Sequence, residues 1–334
     1  MGKSKKQYFN EINIMRGMAV FCVVIGHSFN PTEMPTILGF IKSFVYCFHM
    51  PAFFFISGFL EGEKRRSISE KKQAILKKAK RLMVPYFFLT VVTAVLKLLF
   101  GAFARNPLNY STLAVDVLIG RNNPNGGLWF LYALFVISIF GILFDNIKRT
   151  TLTGTMFVLY MLNTVVFKQS GYVVGFFLSY AWIYFMGGAV RKHLYGKIKN
   201  SELLISVKGI VIIAVVSVGY MMLAFVRIYK SQSWILATAV TVIGVFLLFV
   251  IAVQIEHYHY GEKLWMLLGD YGMDIYMIGY YVQQAIFVIC GKILGLDYLI
   301  YAWLMLILGL IAPIILSKYI VRNNRILSTL ILGR

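Results

Sequence analysis

The sequence predicts an all-α fold, a polytopic transmembrane helix bundle of about ten spans with both termini cytoplasmic. Three observations predict it. The 334 residues are 59% hydrophobic and only 14% charged, whereas ordinary soluble domains carry about a quarter charged residues. Mean hydropathy is +0.75, too apolar for the chain to cover itself with polar surface. The apolar residues also come in runs near the ~20 residues that a helix needs to cross a bilayer. A soluble protein is excluded, and residues 1–334 read as one membrane domain.

The spans fall at approximately 12–28, 36–60, 83–104, 127–145, 151–167, 171–190, 203–226, 233–253, 273–293 and 298–321. The fifth is short and crowded against its neighbours. No small-residue cleavage site follows the first apolar run, so that run reads as a retained helix and not a signal peptide. Lys6 stands where a myristoylation signal needs Ser or Thr.

Net charge is +20, from 33 Lys and Arg against 13 Asp and Glu. With the N-terminus inside, 23 basic residues fall in inner segments and five in outer loops. That asymmetry is the positive-inside pattern of a multi-pass protein of the cell membrane. It accounts for most of the charge without a nucleic-acid partner. The three cysteines, Cys22, Cys47 and Cys290, lie inside apolar runs and form neither a disulfide framework nor a zinc pattern. In EHYHY, His257 and His259 lack a third ligand, so no metal is expected.

Two loops stand out. The inner segment 61–82, EGEKRRSISEKKQAILKKAKRL, repeats Ile68, Ile75, Leu76, Ala79 and Leu82 at helical spacing with lysines opposite. It reads as a basic amphipathic helix suited to membrane lipids. The outer segment 105–126 is rich in Asn, Gly and Pro, and long irregular loops tend to be functional.

Ionisable residues inside a bilayer are costly and need a partner or a purpose. In NIMRGMAVFCVVIGHSF, Arg16 and His27 are eleven residues apart. At 100° per residue they share one helical face, about 16 Å apart along the axis. Asn13 lies close to that face. Taken singly, Arg16 also fits a snorkelling anchor, and His27 an interfacial histidine at a helix end. In YCFHMPAFFFISGFL, His49 lies far from either end, just before Pro51, which frees a carbonyl and kinks the helix. His49 also fits a helix–helix hydrogen bond. Lys42 reads as a snorkelling side chain at the outer end.

The Arg16 and His27 pair followed by FHMPAFFFISG at 48–58 resembles the type-3 acyltransferase family, integral-membrane O-acyltransferases of envelope glycans. The subgroup it looks most like is the fucose 4-O-acetylase type. RLMVPYF at 81–87, GLWFLYALF at 127–135 and LGDYGMDIYMIG at 268–279 extend the likeness in order, from residue 11 to about 320. The chain departs from the late family motif at Gly272, where serine is usual, and at Gly279, where histidine is usual. Nearby Tyr280, Tyr281, Gln283 and Gln284 are polar, with packing as their other reading.

The resemblance implies acetyl-CoA as cytoplasmic acyl donor and a hydroxyl acceptor, a glycan or lipid-linked sugar. Thioester-to-alcohol transfer needs a base, and histidine titrates in the right range. His27 is expected to be that base, with a covalent acyl-histidine as the other route. Arg16 and His49 complete the catalytic set. Arg16 and Ser57, with Lys64, Arg65, Arg66, Lys71 and Lys72 of the basic run, are expected at the donor. For the run, topology and anionic lipid are the other reading. Trp129, Tyr132, Asn125 and Arg121 are expected at the acceptor, with an interfacial aromatic belt as the alternative for the rings. A non-enzymatic polysaccharide exporter or flippase fits the same basic inner face. A small-molecule transporter ranks last, because the break in the second span has no matched partner.

Overall fold

The computed structural model describes residues 8–29, 36–101, 111–166 and 172–334, and all regular structure there is helical. In chain order the helices are α1 Asn10–Ser28, α2 Thr36–Tyr46, α3 His49–Glu61, α4 Ile68–Leu99, α5 Leu113–Leu118, α6 Trp129–Leu143, α7 Arg149–Val165, α8 Tyr172–His193, α9 Tyr195–Lys199, α10 Val207–Tyr229, α11 Trp234–Tyr258, α12 Glu262–Asp270, α13 Gly272–Ile286, α14 Tyr298–Leu316 and α15 Arg325–Leu332. π-helical turns extend α13 through Phe287–Ile293 and α14 through Ser317–Val321.

Eight helical stretches are long and apolar enough to cross a membrane among the described residues. They match eight of the ten expected spans. The other two, 12–28 and 151–167, are the helices α1 and α7, of 19 and 17 residues. Asn10, Glu11, Asn13 and Arg16 dilute the first turns of α1, and α7 is simply short. The expected residues Lys3, Lys5, Lys6, Arg105, Asn106, Pro107, Asn109 and Lys168 lie outside the described residues.

Prolines decide where the helices bend and where they touch. A proline nitrogen cannot donate to the carbonyl four residues back. Pro51 thereby strands the Cys47 carbonyl, and the expected second span is two helices, α2 and α3, joined by tight turns at 47–48. The Thr241 hydroxyl of α11 donates to that Cys47 carbonyl at 3.0 Å. Pro313 strands the Gly309 carbonyl, and Gly279 of α13 packs on it, where a Cβ at 279 would lie 3.2 Å away. Pro85 sits inside α4 without ending it. The expected inner segment 61–82 is helical from Ile68 and runs unbroken into the span. At 1.5 Å per residue, the 32 residues of α4 extend about 48 Å. Ser67 starts it with a reciprocal capping box to Glu70.

Two compact units form, one from the described residues within Met1–Ile56 and Tyr195–Gly272, the other from those within Ser57–Leu194 and Met273–Arg334. In the first, α1 packs on α2, α11 and α12, and α10 packs on α2 and α11. In the second, α6 packs on α4 and α8, α7 on α8, and α15 on α4. Close approach through small residues drives helix contact where lipid is as apolar as the side chains. Gly58 of α3 meets α8 this way, with Tyr184 O where a Cβ would stand. Much of α10 carries exposed Val211, Val215, Val218 and Met222, an apolar surface suited to lipid.

Candidate active site

The first unit holds Arg16, His27 and His49. α1 and α12 cross through glycines. A Cβ on Gly17 would lie 2.1 Å from Trp265 O, and one on Gly269 would lie 2.1 Å from Asn13 O. That approach lets Asn13 reach α12. Its Nδ2 donates to Asp270 Oδ1 at 2.9 Å and to Met266 O at 3.2 Å. Its Oδ1 accepts from Arg16 Nη1 at 3.2 Å. Tyr8 OH donates to the same Asp270 oxygen at 3.1 Å. Partial burial first, and the Asp270 carboxylate next, push the Tyr8 hydroxyl above its usual pKa. The Arg16 stem passes over Gly272, whose Cβ would lie 3.2 Å from Arg16 Cδ.

His27 is exposed in the last turn of α1. His49 is buried at the start of α3, and the two side chains are near enough to interact electrostatically. Tyr46 links them. Its hydroxyl donates to Gly26 O at 3.5 Å, and its ring meets His49 edge-on at 4.9 Å. His49 Nδ1 lies 2.7 Å from Val45 O. A carbonyl only accepts, so Nδ1 carries the hydrogen, and the neutral ring keeps its lone pair on Nε2. The hydrogen bond expected between helices is thus a local one across the α2–α3 turn.

Sequence reading missed a further polar group on α1. Glu11 is fully buried, accepts from Tyr195 OH at 2.5 Å and pairs with Lys199 at 3.1 Å. Lys199 also pairs with Glu256 at 3.4 Å. The Tyr195 hydroxyl is pushed up to about 12 by burial and then by Glu11. Burial pulls the Lys199 ammonium down, but its contacts with Glu11 override this and hold it above its usual value. A glutamate among the apolar residues of α1 was the available signal.

The second unit holds the remaining predicted residues. The basic run folds around two buried carboxylates. Glu61 pairs with Arg66, with Lys78 at 3.3 Å and with Lys64 at 3.9 Å. Asp145 pairs with Lys71 at 2.9 Å and accepts from the Arg66 backbone N–H at 3.0 Å. Lys64, Arg66 and Lys71 therefore have protein carboxylates as partners. Arg65 and Lys72 are exposed and make no ion pair among the described residues. Ser57 is half-buried beside Gly58. Arg149, buried in the same unit, gives its guanidinium to the carbonyls of Gly62 and Gly141.

Of the outer-loop candidates, Asn125 is buried and caps the turn Gly126–Leu128 by accepting from Gly127 N at 3.0 Å. Arg121 faces Asp116 at 3.5 Å. Trp129 stacks on Phe176 with centroids 4.5 Å apart. Tyr132 donates to Leu118 O at 2.8 Å. Tyr276 OH donates to Gly127 O, tying the loop to α13. Among the described residues no three His, Cys, Asp or Glu side chains gather as a metal site.

With this geometry in place, the family comparison is decisive. The family model described as an acyltransferase domain matches residues 9–320. The chain belongs to the type-3 acyltransferase family. No curated protein and no solved structure matches it. At both departures from the late family motif the glycine sits in a tight place, with 3.2 Å between a hypothetical Cβ and its nearest neighbour. At Gly272 a side chain would press on the Arg16 stem, and at Gly279 it would press on the Gly309 carbonyl. Membership, together with the apolar helices, makes the protein a multi-pass membrane acyltransferase.

Proposed function

We propose that this acyltransferase moves an acetyl group from cytoplasmic acetyl-CoA to a hydroxyl of a cell-envelope or exported glycan, in the cell membrane. The observation that carries the reading is α1, which carries Arg16, held by Asn13, and exposed His27 in its last turn, in the same unit as buried His49. His27 takes the proton of the acceptor hydroxyl as its oxygen attacks the thioester carbonyl. The carbon–sulfur bond breaks, and the imidazolium returns the proton to the departing thiolate. His49, with its lone pair on Nε2, is the second imidazole able to serve or accept this proton. Arg16 stays charged in any setting and holds the donor's phosphates. Arg65 and Lys72 add attraction for the nucleotide, joined by Lys64, Arg66 and Lys71 where their carboxylate pairs leave charge in excess. Ser57 belongs to the same donor set, and Trp129, Tyr132, Asn125 and Arg121 form the acceptor set.

The test is acyl transfer from labelled acetyl-CoA by purified protein in lipid, wild type beside His27→Ala. A positioned base contributes roughly 10²–10⁴-fold, so CoA release falls by that factor. Full transfer by the variant refutes the assignment. Label retained on the wild-type chain favours an acyl-histidine. Absence of both donor binding and CoA release moves the reading to a polysaccharide exporter or flippase.

A further inference from the structure

Asn13 is an amide between two different demands. Its amide can point either way, and its surroundings decide which. The Asp270 carboxylate and the Met266 carbonyl can only accept, so both require the NH₂ side. That leaves Oδ1 turned to Arg16, whose guanidinium can only donate. Reversing the amide would set its oxygen against two acceptors and its NH₂ against a donor. A second donor, Tyr8 OH, reaches the same Asp270 oxygen at 3.1 Å and helps hold the carboxylate in place. Glycine supplies the room, because a Cβ on Gly269 would also stand 2.8 Å from Asn13 Oδ1.

The geometry points to Asn13 and Asp270 as positioning residues for Arg16, a relay in which Asp270 sets the Asn13 amide and the amide sets the guanidinium. The inference rests on the donor-binding role given to Arg16 above. Neither residue touches the reacting atoms. Both act through the direction in which Arg16 presents its guanidinium.

Asn13→Ala, Asp270→Ala and Asp270→Asn are measured beside wild type for KM and kcat with acetyl-CoA. Peptide mapping follows the rate at which a dicarbonyl reagent modifies Arg16. A lost hydrogen bond to a charged group corresponds to about ten- to a hundredfold. Asn13→Ala and Asp270→Ala should raise the acetyl-CoA KM about tenfold or more, and the double variant should be no worse than either alone. Both should modify Arg16 faster while Arg322 reacts as in wild type. Asp270→Asn keeps an acceptor and should recover most of the KM; the Arg16 modification rate, read against Arg322, is what separates a positioning role from packing alone. Unchanged KM and unchanged Arg16 modification in both alanine variants overturn the relay. If wild type releases no CoA, the acetyl-transfer reading fails by itself. The Arg16 modification rate then decides the relay alone, faster rates upholding it and equal rates ending it.

Discussion

Replacing Gly58 by alanine asks whether α3 and α8 meet as closely as described. The new Cβ would stand 1.7 Å from Tyr184 O and 2.6 Å from Tyr184 C, both backbone atoms. A carbon rests against a carbonyl oxygen at about 3.3 Å. The helices would have to part by about 1.6 Å, or the carbonyl would have to leave its own ladder. Overpacking in a tight core costs about 1–3 kcal/mol and occasionally more, and a clash with backbone belongs at the top of that range. Gly219 on α10 has nothing within 4 Å of its hypothetical Cβ. There alanine should only relieve glycine's helical penalty, a gain of about 0.5–1 kcal/mol. Thermal unfolding of the two variants in one detergent, at one heating rate, measures the gap. Gly58→Ala should melt several degrees below wild type and Gly219→Ala at or slightly above it. Equal melting temperatures for the two variants would refute the close α3–α8 crossing.

Gly279→His, which restores the usual family residue, should destabilise the chain by about 1–3 kcal/mol, because its Cβ would already lie in tight contact, 3.2 Å from the Gly309 carbonyl; a wild-type melting temperature would contradict this. Thr241→Val leaves the Cys47 carbonyl without its hydroxyl donor and should cost about 0.6–1.7 kcal/mol, read by the same melt. Asp145→Asn uncouples Arg66 and Lys71 from a buried charge and should cost about 3 kcal/mol; no loss would show that the pairs are idle. Because the fold raises the Tyr195 pKa, its proton adds stability that is full below the ordinary value of 10.0 and is lost as pH rises toward about 12. The raised Lys199 value acts with the same sign. Melting temperature should therefore fall across that window in wild type and less in Tyr195→Phe, and identical slopes would remove Tyr195 from the account.

The bundle was legible because spans are set by local composition, and eight of the runs counted on length and hydropathy are helices of that kind. The break after α2 was legible from Pro51. The shared face of Arg16 and His27 followed from helix geometry alone. What stayed hidden depends on contacts across the chain. α12 has nine residues, too few to register as a span, yet it supplies the partners of Asn13. The basic run read as facing donor phosphates or anionic lipid, because Asp145, the acid that Arg66 and Lys71 meet, lies 79 residues from Arg66. The sequence divides an inner segment at 61–82 from a span at 83–104, with Pro85 close to the join. α4 instead continues through it, since the rest of its hydrogen-bond ladder is intact.

The pairing of Asn13 with Asp270 spans 257 residues. On a ribosome adding about 5–20 residues per second, the acid follows the amide by about 13–50 s. During that interval α1 is already made, with Glu11, Asn13 and Arg16 waiting for α9 and α12. A newborn first helix carrying three such groups is a poor lodger in lipid. It should linger at the insertion machinery, or half in water, until residues 195–272 emerge to receive it. Truncated nascent chains ending before α12 are therefore where degradation and failed insertion should concentrate.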